Sequence, residues 1–588
     1  MGSLTALRAA RPLEDVAVRV SGPLVLTASA MGHLRELGAT VCHDGPACGG
    51  LARFALNSSG LGKVTANAAW AGVLRDADAA DEATVQAATG VMAVHGRRDG
   101  TPRGLAVDYA ATCASVLTVA GLLAALVGHA RGRGAGHVST GADRAALLTV
   151  SQYLAAASAP EAETVPVAPG GPPFTAADGT RFELEALEPG VWAGFWRALG
   201  ALPEAIRSGW PPFQFRYATA CAPLPEALHA ITRDVSWSRI QQAAAISGAE
   251  VCAVHRLDVG GADPGPPWRI EARTTQWAGT AAGPTPEPGG PLAGLTVLEA
   301  GRRIQAPLAA HLLRLLGADV VRIEPPGGDP LRGMPPCCLD VSARWLALNR
   351  HKRAVEIDIK SPAGQAELLE LAAGADVFLH NWAPGKAEQL GLDNETLGAL
   401  NPGLVYAYTS GWAGRLPDPP IGTDFMVQAR MGIGEAVRSA DEPTAPSLMT
   451  LIDVLGGLLG AEAILAGLLL RERTGTGVQV ESSLLGAAET LTKAAGHQRR
   501  HAGFRKPLRT ADGWIAPTDQ SAAAAQAHAP QLAELPTDQA LTALRESGLT
   551  ATAVTTDLAS LPADPRLRAS LGHDAHGSLT VPSPWRFS

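Results

Sequence analysis

Residues 291–320 read PLAGLTVLEAGRRIQAPLAAHLLRLLGADV, and the next four, VRIE, complete the pattern that decides the fold. LTVLEA is a short apolar run of strand type. APLAAHLLRLLG has helical spacing and ends on Gly317 in a C-cap position. DVVRIE is a second apolar run. AVEIDI, SPAGQAELLELAAGA, DVFLHNW and LVYAYTS then continue the alternation of strand and helix. This order predicts an α/β fold, a Rossmann-like parallel sheet with helices on both faces. Functional groups in such a sheet gather beyond the carboxyl ends of the strands. Gln305, Pro325, Asn381 and Ser410 are all expected there.

The same stretch occurs earlier in the chain. Residues 12–41, PLEDVAVRVSGPLVLTASAMGHLRELGATV, align with residues 291–320 without a gap and share eleven of thirty positions. Further echoes follow in order. VQAATG at 85–90 answers VQARMG at 427–432, AVDY around Asp108 answers LIDV around Asp453, and PPWRI at 266–270 answers SPWRF at 583–587. Collinear matches at this separation indicate a duplicated domain rather than a solenoid of short repeats. Copy one is read as residues 12–275, with a large part to about 165 and a small part over 171–270. Residues 279–291 form a Pro/Gly-rich linker. Copy two is read as 291–588, with a large part to about 505 and a small part over 506–575. Only 44 residues separate Val41 from Gln86, against 107 between Val320 and Gln428. Copy one is therefore expected to have lost several central strands. Each copy lacks something the other keeps, so the two are expected to complete each other as an intertwined pseudo-dimer.

Composition narrows the function classes. The 588 residues carry a net charge of -8, and the densest basic run is RHKR at 350–353, which argues against a nucleic-acid partner. The seven cysteines show no metal-ligand spacing, and the vicinal pair Cys337–Cys338 has no redox motif around it. A cytoplasmic location is expected. LIDVLGGLLGAEAILAGLLL at 451–470 has membrane-spanning length, but it carries Asp453 and Glu462, so a buried helix is expected and no membrane partner.

Asp453 opens that helix, where the positive amino end favours the ionised, nucleophilic form of a carboxylate. Position alone favours the plainer role of an N-cap accepting backbone N–H groups. The wider set of motifs bears on the choice: LAGLTVLEAG, LNRHKRAVEIDIKSPAG, DVFLHNWAPG, VQARMG, LIDV, RERTGTGVQVESS and TADG, in that order. Together they resemble the family III CoA-transferases, a group that includes formyl-CoA transferase, L-carnitine CoA-transferase and the 2-methylacyl-CoA racemases.

The resemblance implies an acyl-CoA:carboxylate CoA-transferase that exchanges thioesters through an aspartyl anhydride and an aspartyl-CoA thioester at Asp453. It implies coenzyme A as part of the acyl-CoA substrate, a small carboxylic acid as the second substrate, and no metal. It places Gln305 and Ala306 against CoA, Asn381 and Trp382 beneath its adenosine and pantetheine, and Lys352 and Arg353 at its phosphates. Asp108, read as the counterpart of Asp453, is expected to survive as a cap or structural carboxylate. Some positions depart from the family pattern. Pro325 and Gln389 stand where basic residues are common, the glycine-rich covering loop is missing, and Thr423-Asp424 replaces the His-Asp pair of the racemases. Racemisation is thereby disfavoured, since one of two bases is lost. A repurposed lyase, an acyl-transfer enzyme or an acyl-CoA-binding protein is the alternative.

Overall fold

The computed structural model describes residues 7–45, 50–258, 265–276, 289–495 and 501–588. Cys48 and most of the expected linker lie outside the described residues.

Copy two forms six parallel strands in the spatial order Thr476–Ser483, Val405–Ser410, Val377–His380, Thr296–Ala300, Asp319–Glu324, Arg353–Glu356. The four residues of Val377–His380 are all buried, as expected of a central parallel strand covered on both faces. The sheet does not end with copy two. Trp268–Gln276 of copy one adds antiparallel to Thr476–Ser483, and Leu7–Ala9 pairs beyond it. Copy two reciprocates: its last strand, Arg586–Phe587, adds antiparallel to His137–Gly141 of copy one. Trp268 and Trp585, the aromatic residues of the matching PWR motifs, are both buried, and the Trp585 indole donates to the Leu117 carbonyl at 2.7 Å.

Copy one has kept more of its sheet than its length suggested. The short segment after Thr40–His43 forms an antiparallel hairpin, Ala52–Ser58 and Gly62–Ala69, which fills the space between Ala17–Ser21 and His137–Gly141. The expectation of a sheet missing its central strands is corrected accordingly. What is gone is the outer strand that corresponds to Arg353–Glu356, and with it the helical crossovers, because two antiparallel strands need only a tight turn where parallel ones need a long connection.

Two long helices, Tyr109–Ala130 and Leu451–Thr474, pack against each other at the centre of the molecule. Both are long and apolar enough to cross a membrane, and both are buried inside the protein. The one acidic side chain deep in the second helix, Glu462, faces His33 of copy one at 3.1 Å. The small domains cross over. The sheet Phe174–Thr175, Arg181–Glu185, Glu250–Ala253 belongs to copy one, yet it packs on the helix Asp424–Arg430 of copy two. The sheet Leu508–Arg509, Trp514–Pro517, Ala551–Ala553 of copy two packs on Glu82–Ala88 of copy one.

Candidate active site

The amino end of the helix Leu451–Thr474 leaves N–H groups without intrahelical partners. The fully buried carboxylate of Asp424 takes two of them, from Ile452 at 2.8 Å and Asp453 at 2.7 Å. Gln428, one turn along the helix from Asp424, donates to that carboxylate at 2.5 Å and to the Ser447 carbonyl at 3.0 Å, while its own oxygen accepts from the Ser447 N–H at 2.9 Å. The capping work is therefore done by Asp424 and not by Asp453, whose side chain is left facing a cavity.

Copy one repeats this device. Glu82 accepts from the N–H groups of Ala110 and Ala111 at 2.8 and 2.9 Å, and Gln86 accepts from Leu105 N–H at 2.7 Å. A constant spacing of 342 residues relates Glu82 to Asp424, Gln86 to Gln428, Leu105 to Ser447 and Tyr109–Ala130 to the start of Leu451–Thr474. At that spacing the counterpart of Asp453 is Ala111, and Asp108 corresponds to the N-cap Thr450. The match of AVDY to LIDV is thus corrected by three residues. Asp108 is a structural carboxylate, ion-paired with the buried Arg505 at 2.6 Å, and Arg505 also holds Asp519 at 2.7 Å and the carbonyls of Leu105 and Val107.

The Asp453 carboxyl is pushed up to about 6 by burial, against the pull of the Arg303 guanidinium and with Glu185 adding to the rise. The helix end was expected to favour ionisation, but removal from water outweighs it. Asp424 is likewise driven well above the ordinary range by burial and by the charge of Asp453. Arg303 stands beside the site with a left-handed backbone, φ 65°, unusual for a residue with a side chain. Glu185, the last residue of its strand in copy one's small domain, accepts from Arg216 at 2.9 Å, from Thr423 Oγ1 at 2.9 Å and from the Tyr217 hydroxyl. Burial penalises its charge, but Arg216 and these hydrogen bonds hold its carboxyl below the ordinary value. Thr423, at the position of the racemase histidine, is thus tied to a carboxylate from the other copy.

Two openings meet at Arg303, Pro330 and Leu331. One is a cleft of about 510 Å³ formed beyond the carboxyl ends of the strands, from Ala300–Arg303, Glu324–Pro326, Ile357–Lys360 and Trp382. The other is a cavity of about 410 Å³ that reaches Asp453 and is walled largely by copy one.

The expected residues fall into three groups. Gln305 and Ala306 lie at the start of the helix Gln305–Leu315, buried, next to the cleft. Gln305 packs on the central helix one turn after Asp453, where a Cβ on Gly456 would come within 2.9 Å of its amide nitrogen. Asn381 and Trp382 sit at the cleft rim. The Asn381 amide clamps the Arg302 backbone with two bonds of 2.9 Å, and the Trp382 ring lies 4.8 Å from that of His380. Lys352 and Arg353 are elsewhere. Lys352 is buried, its ammonium shared among Glu299 at 2.7 Å, the Pro307 carbonyl at 2.8 Å and Asn349 at 2.9 Å. Burial pulls it down to about 8. Arg353 begins its strand, at the end of the sheet opposite the cleft, and pairs with Asp319 at 2.5 Å. The expected phosphate contacts of both are corrected to structural ion pairs. The exposed cations that do line the cleft are Arg302, Arg303 and Lys360, with Arg303 shared with the cavity. Lys360 was legible in the sequence, since it follows the strand AVEIDI at its carboxyl end. Glu185 was not, because nothing in a single copy reveals which large domain its small domain covers.

Burial raises both thiols of the Cys337–Cys338 pair, which are not disulfide-bonded. No group of residues suited to hold a metal occurs among the described residues.

The chain matches CoA-transferase family III over residues 66–264 and 292–542. It is 34% identical over 232 residues to the succinyl-CoA:glutarate CoA-transferase of Mus musculus, covering 39% of this chain and 53% of that protein. It is 36% identical over 202 residues to the acetyl-CoA:oxalate CoA-transferase of Acetobacter aceti, covering 34% of this chain and 52% of that protein. The chain thus spans about half the length of these curated relatives. A crystal structure of a CAIB/BAIF family protein from Brucella suis covers 51% of this chain and 93% of its own, at 26% identity and a TM-score of 0.46. With the family matching in two successive blocks that together span most of its length, the chain belongs to CoA-transferase family III.

Proposed function

We propose that the protein is an acyl-CoA:carboxylate CoA-transferase with one working site, in copy two, and Asp453 as its nucleophile. The observation that carries this reading is the division of labour at the helix amino end: Asp424 satisfies the backbone, and the Asp453 carboxylate faces the cavity that meets the cleft at Arg303.

In this reading the CoA moiety lies in the cleft at the strand ends, with Arg302 and Lys360 near its phosphates and Trp382 beneath its base. The acyl group enters the cavity beside Asp453. The ionised carboxylate attacks the thioester carbonyl and expels CoA thiolate, leaving an aspartyl anhydride. The thiolate then attacks the aspartyl carbonyl, releasing the donor acid and leaving an aspartyl-CoA thioester. The acceptor carboxylate attacks that thioester and expels CoA thiolate, giving a second aspartyl anhydride. The thiolate then attacks the acceptor's carbonyl, forming the new acyl-CoA and freeing the Asp453 carboxylate. Arg303 stabilises the negative charge passed among these groups. Its pull on Asp453 keeps the nucleophile substantially ionised at neutral pH. In copy one Ala111 stands at the nucleophile's position and Arg505 reaches into the corresponding space, so no second site is assigned there.

Incubation with an acyl-CoA and hydroxylamine, followed by mass spectrometry, tests the reading. It is expected to yield a hydroxamate at Asp453 and none in copy one. Transfer that persists in Asp453→Ala would overturn it.

A further inference from the structure

The cavity beside Asp453 carries information about the acyl group. Leu187, Trp210, Phe215, Tyr217, Leu331 and Met334 make up much of its wall, and the amides of Gln152 and Gln214 are neutral. Two further guanidiniums line it, and each already holds a carboxylate. Arg216 is paired with Glu185 at 2.9 Å, and Arg344 is paired with Glu163 and bonded to the Ala218 and Pro335 carbonyls at 3.1 and 3.0 Å. Both are buried. Among the described lining residues, Arg303 is the cation with no carboxylate paired to it, and it stands at the Asp453 end. A substrate's reacting carboxyl or thioester meets a positive charge there. A second carboxylate at the far end of a dicarboxylic acyl group meets apolar wall and neutralised arginines, and its desolvation has no compensation. At about 30 Å³ per water-sized group, a cavity of about 410 Å³ accommodates on the order of ten non-hydrogen atoms.

We infer that the site takes monocarboxylic acyl groups with a bulky apolar or aromatic tail, and discriminates against short dicarboxylic ones. The selecting wall is furnished chiefly by copy one. This rests on the transferase reading for the identity of the site, but its test is one of binding and does not need turnover.

The test uses the full chain and two inert thioethers, S-(3-phenylpropyl)-CoA and S-(3-carboxypropyl)-CoA, titrated by calorimetry. The phenylpropyl compound is expected to bind at least tenfold tighter. Trp210→Ala is expected to remove most of that difference. Met334→Lys, which places a cation on a partly exposed part of the wall, is expected to narrow it by tightening the carboxypropyl compound. Equal or tighter binding of S-(3-carboxypropyl)-CoA to the wild-type chain overturns the inference. If the phenylpropyl compound binds tightly but 3-phenylpropanoyl-CoA and hydroxylamine leave Asp453 unlabelled, the transferase reading falls while the binding preference stands.

Discussion

The backbone N–H of Asp453 donates to the carboxylate of Asp424 at 2.7 Å, so the first turn of the central helix of copy two is capped from outside and not by the Asp453 side chain. A capping carboxylate is spent on N–H groups. Asp453 is released from that duty while remaining in the field of the helix amino end, beside Arg303 and against Glu185 from the other copy. Each of these relationships can be tested separately.

Asp453→Asn is expected to abolish transfer and to stabilise the protein at pH 7. The wild-type carboxyl is raised from 3.8 to about 6 on folding, so ionising it in the folded state costs free energy above pH 6. The amide escapes that cost, a gain of about 1–3 kcal/mol at neutral pH. The gain shrinks as pH falls from about 6 towards 3.8, where the carboxyl is protonated in both states. Urea melts of both proteins at pH 5 and pH 7.5 measure it.

The same shift sets the pH profile of catalysis. kcat/KM is expected to rise with pH through an apparent value near 6, as Asp453 becomes the nucleophilic carboxylate. Arg303→Gln removes the positive charge that opposes the rise, so the limb is expected to move to higher pH. A profile unmoved by this substitution would separate Arg303 from the ionisation of Asp453.

Asp108→Ala is expected to leave transfer within a few-fold while lowering stability by about 2–4 kcal/mol, because Arg505 keeps only one of its two carboxylates in a buried setting. Ala111→Asp, which restores a carboxylate at the true counterpart of Asp453, is expected to give no second labelled site with hydroxylamine.

Lys352→Met is expected to destabilise the fold, by about 3 kcal/mol for a buried pair broken on one side, with little change in the affinity of the folded protein for CoA. Lys360→Ala is expected to do the reverse: unchanged stability, and a two- to tenfold weaker, less salt-dependent binding of CoA. Calorimetric titration at two salt concentrations distinguishes them.

Trp585→Ala is expected to cost about 3–5 kcal/mol, since it empties a buried indole site where the last strand of copy two docks on copy one. By the same reasoning, fragments 1–280 and 291–588 are expected to be insoluble or unfolded alone and to reconstitute when refolded together, read by circular dichroism and gel filtration. Cooperative folding of either fragment by itself would contradict the exchange of strands.

Much of the architecture was legible in the chain, because strand and helix periods in copy two are clean and the duplication is plain at residues 12–41 and 291–320. The misreading of Asp108 has a specific cause. An aspartate occurs near the start of both central helices, and the identity drew the alignment three residues out of step. The neighbouring match of VQAATG to VQARMG already fixed the spacing at 342 residues, and extending it without a gap leads to Ala111. Lys352 and Arg353 were misplaced for another reason. A basic run shows charge but not direction: Lys352 turned inward onto Glu299 and the Pro307 carbonyl, while Arg353 stayed at the start of its strand. Glu185 depends on which domain crosses to which partner, a property of the assembled chain that no local pattern encodes.

The exchanged terminal strands, Trp268–Gln276 and Arg586–Phe587, also change what substitution can do. In an assembly of identical subunits, every replacement appears in all sites at once, so a change that improves the lid of one site alters the floor of another. Here the two sides of the cavity beside Asp453 are encoded by separate stretches of one chain, bound in a fixed ratio. On the proposed single-site reading, copy one then serves as the wall of a site whose attacking carboxylate lies in copy two. On that reading, wall residues such as Trp210 and Phe215 can change what the cavity accepts while Asp424 and the strand-end cleft keep their sequence, and Glu185 is the point at which copy one still bears on Asp453.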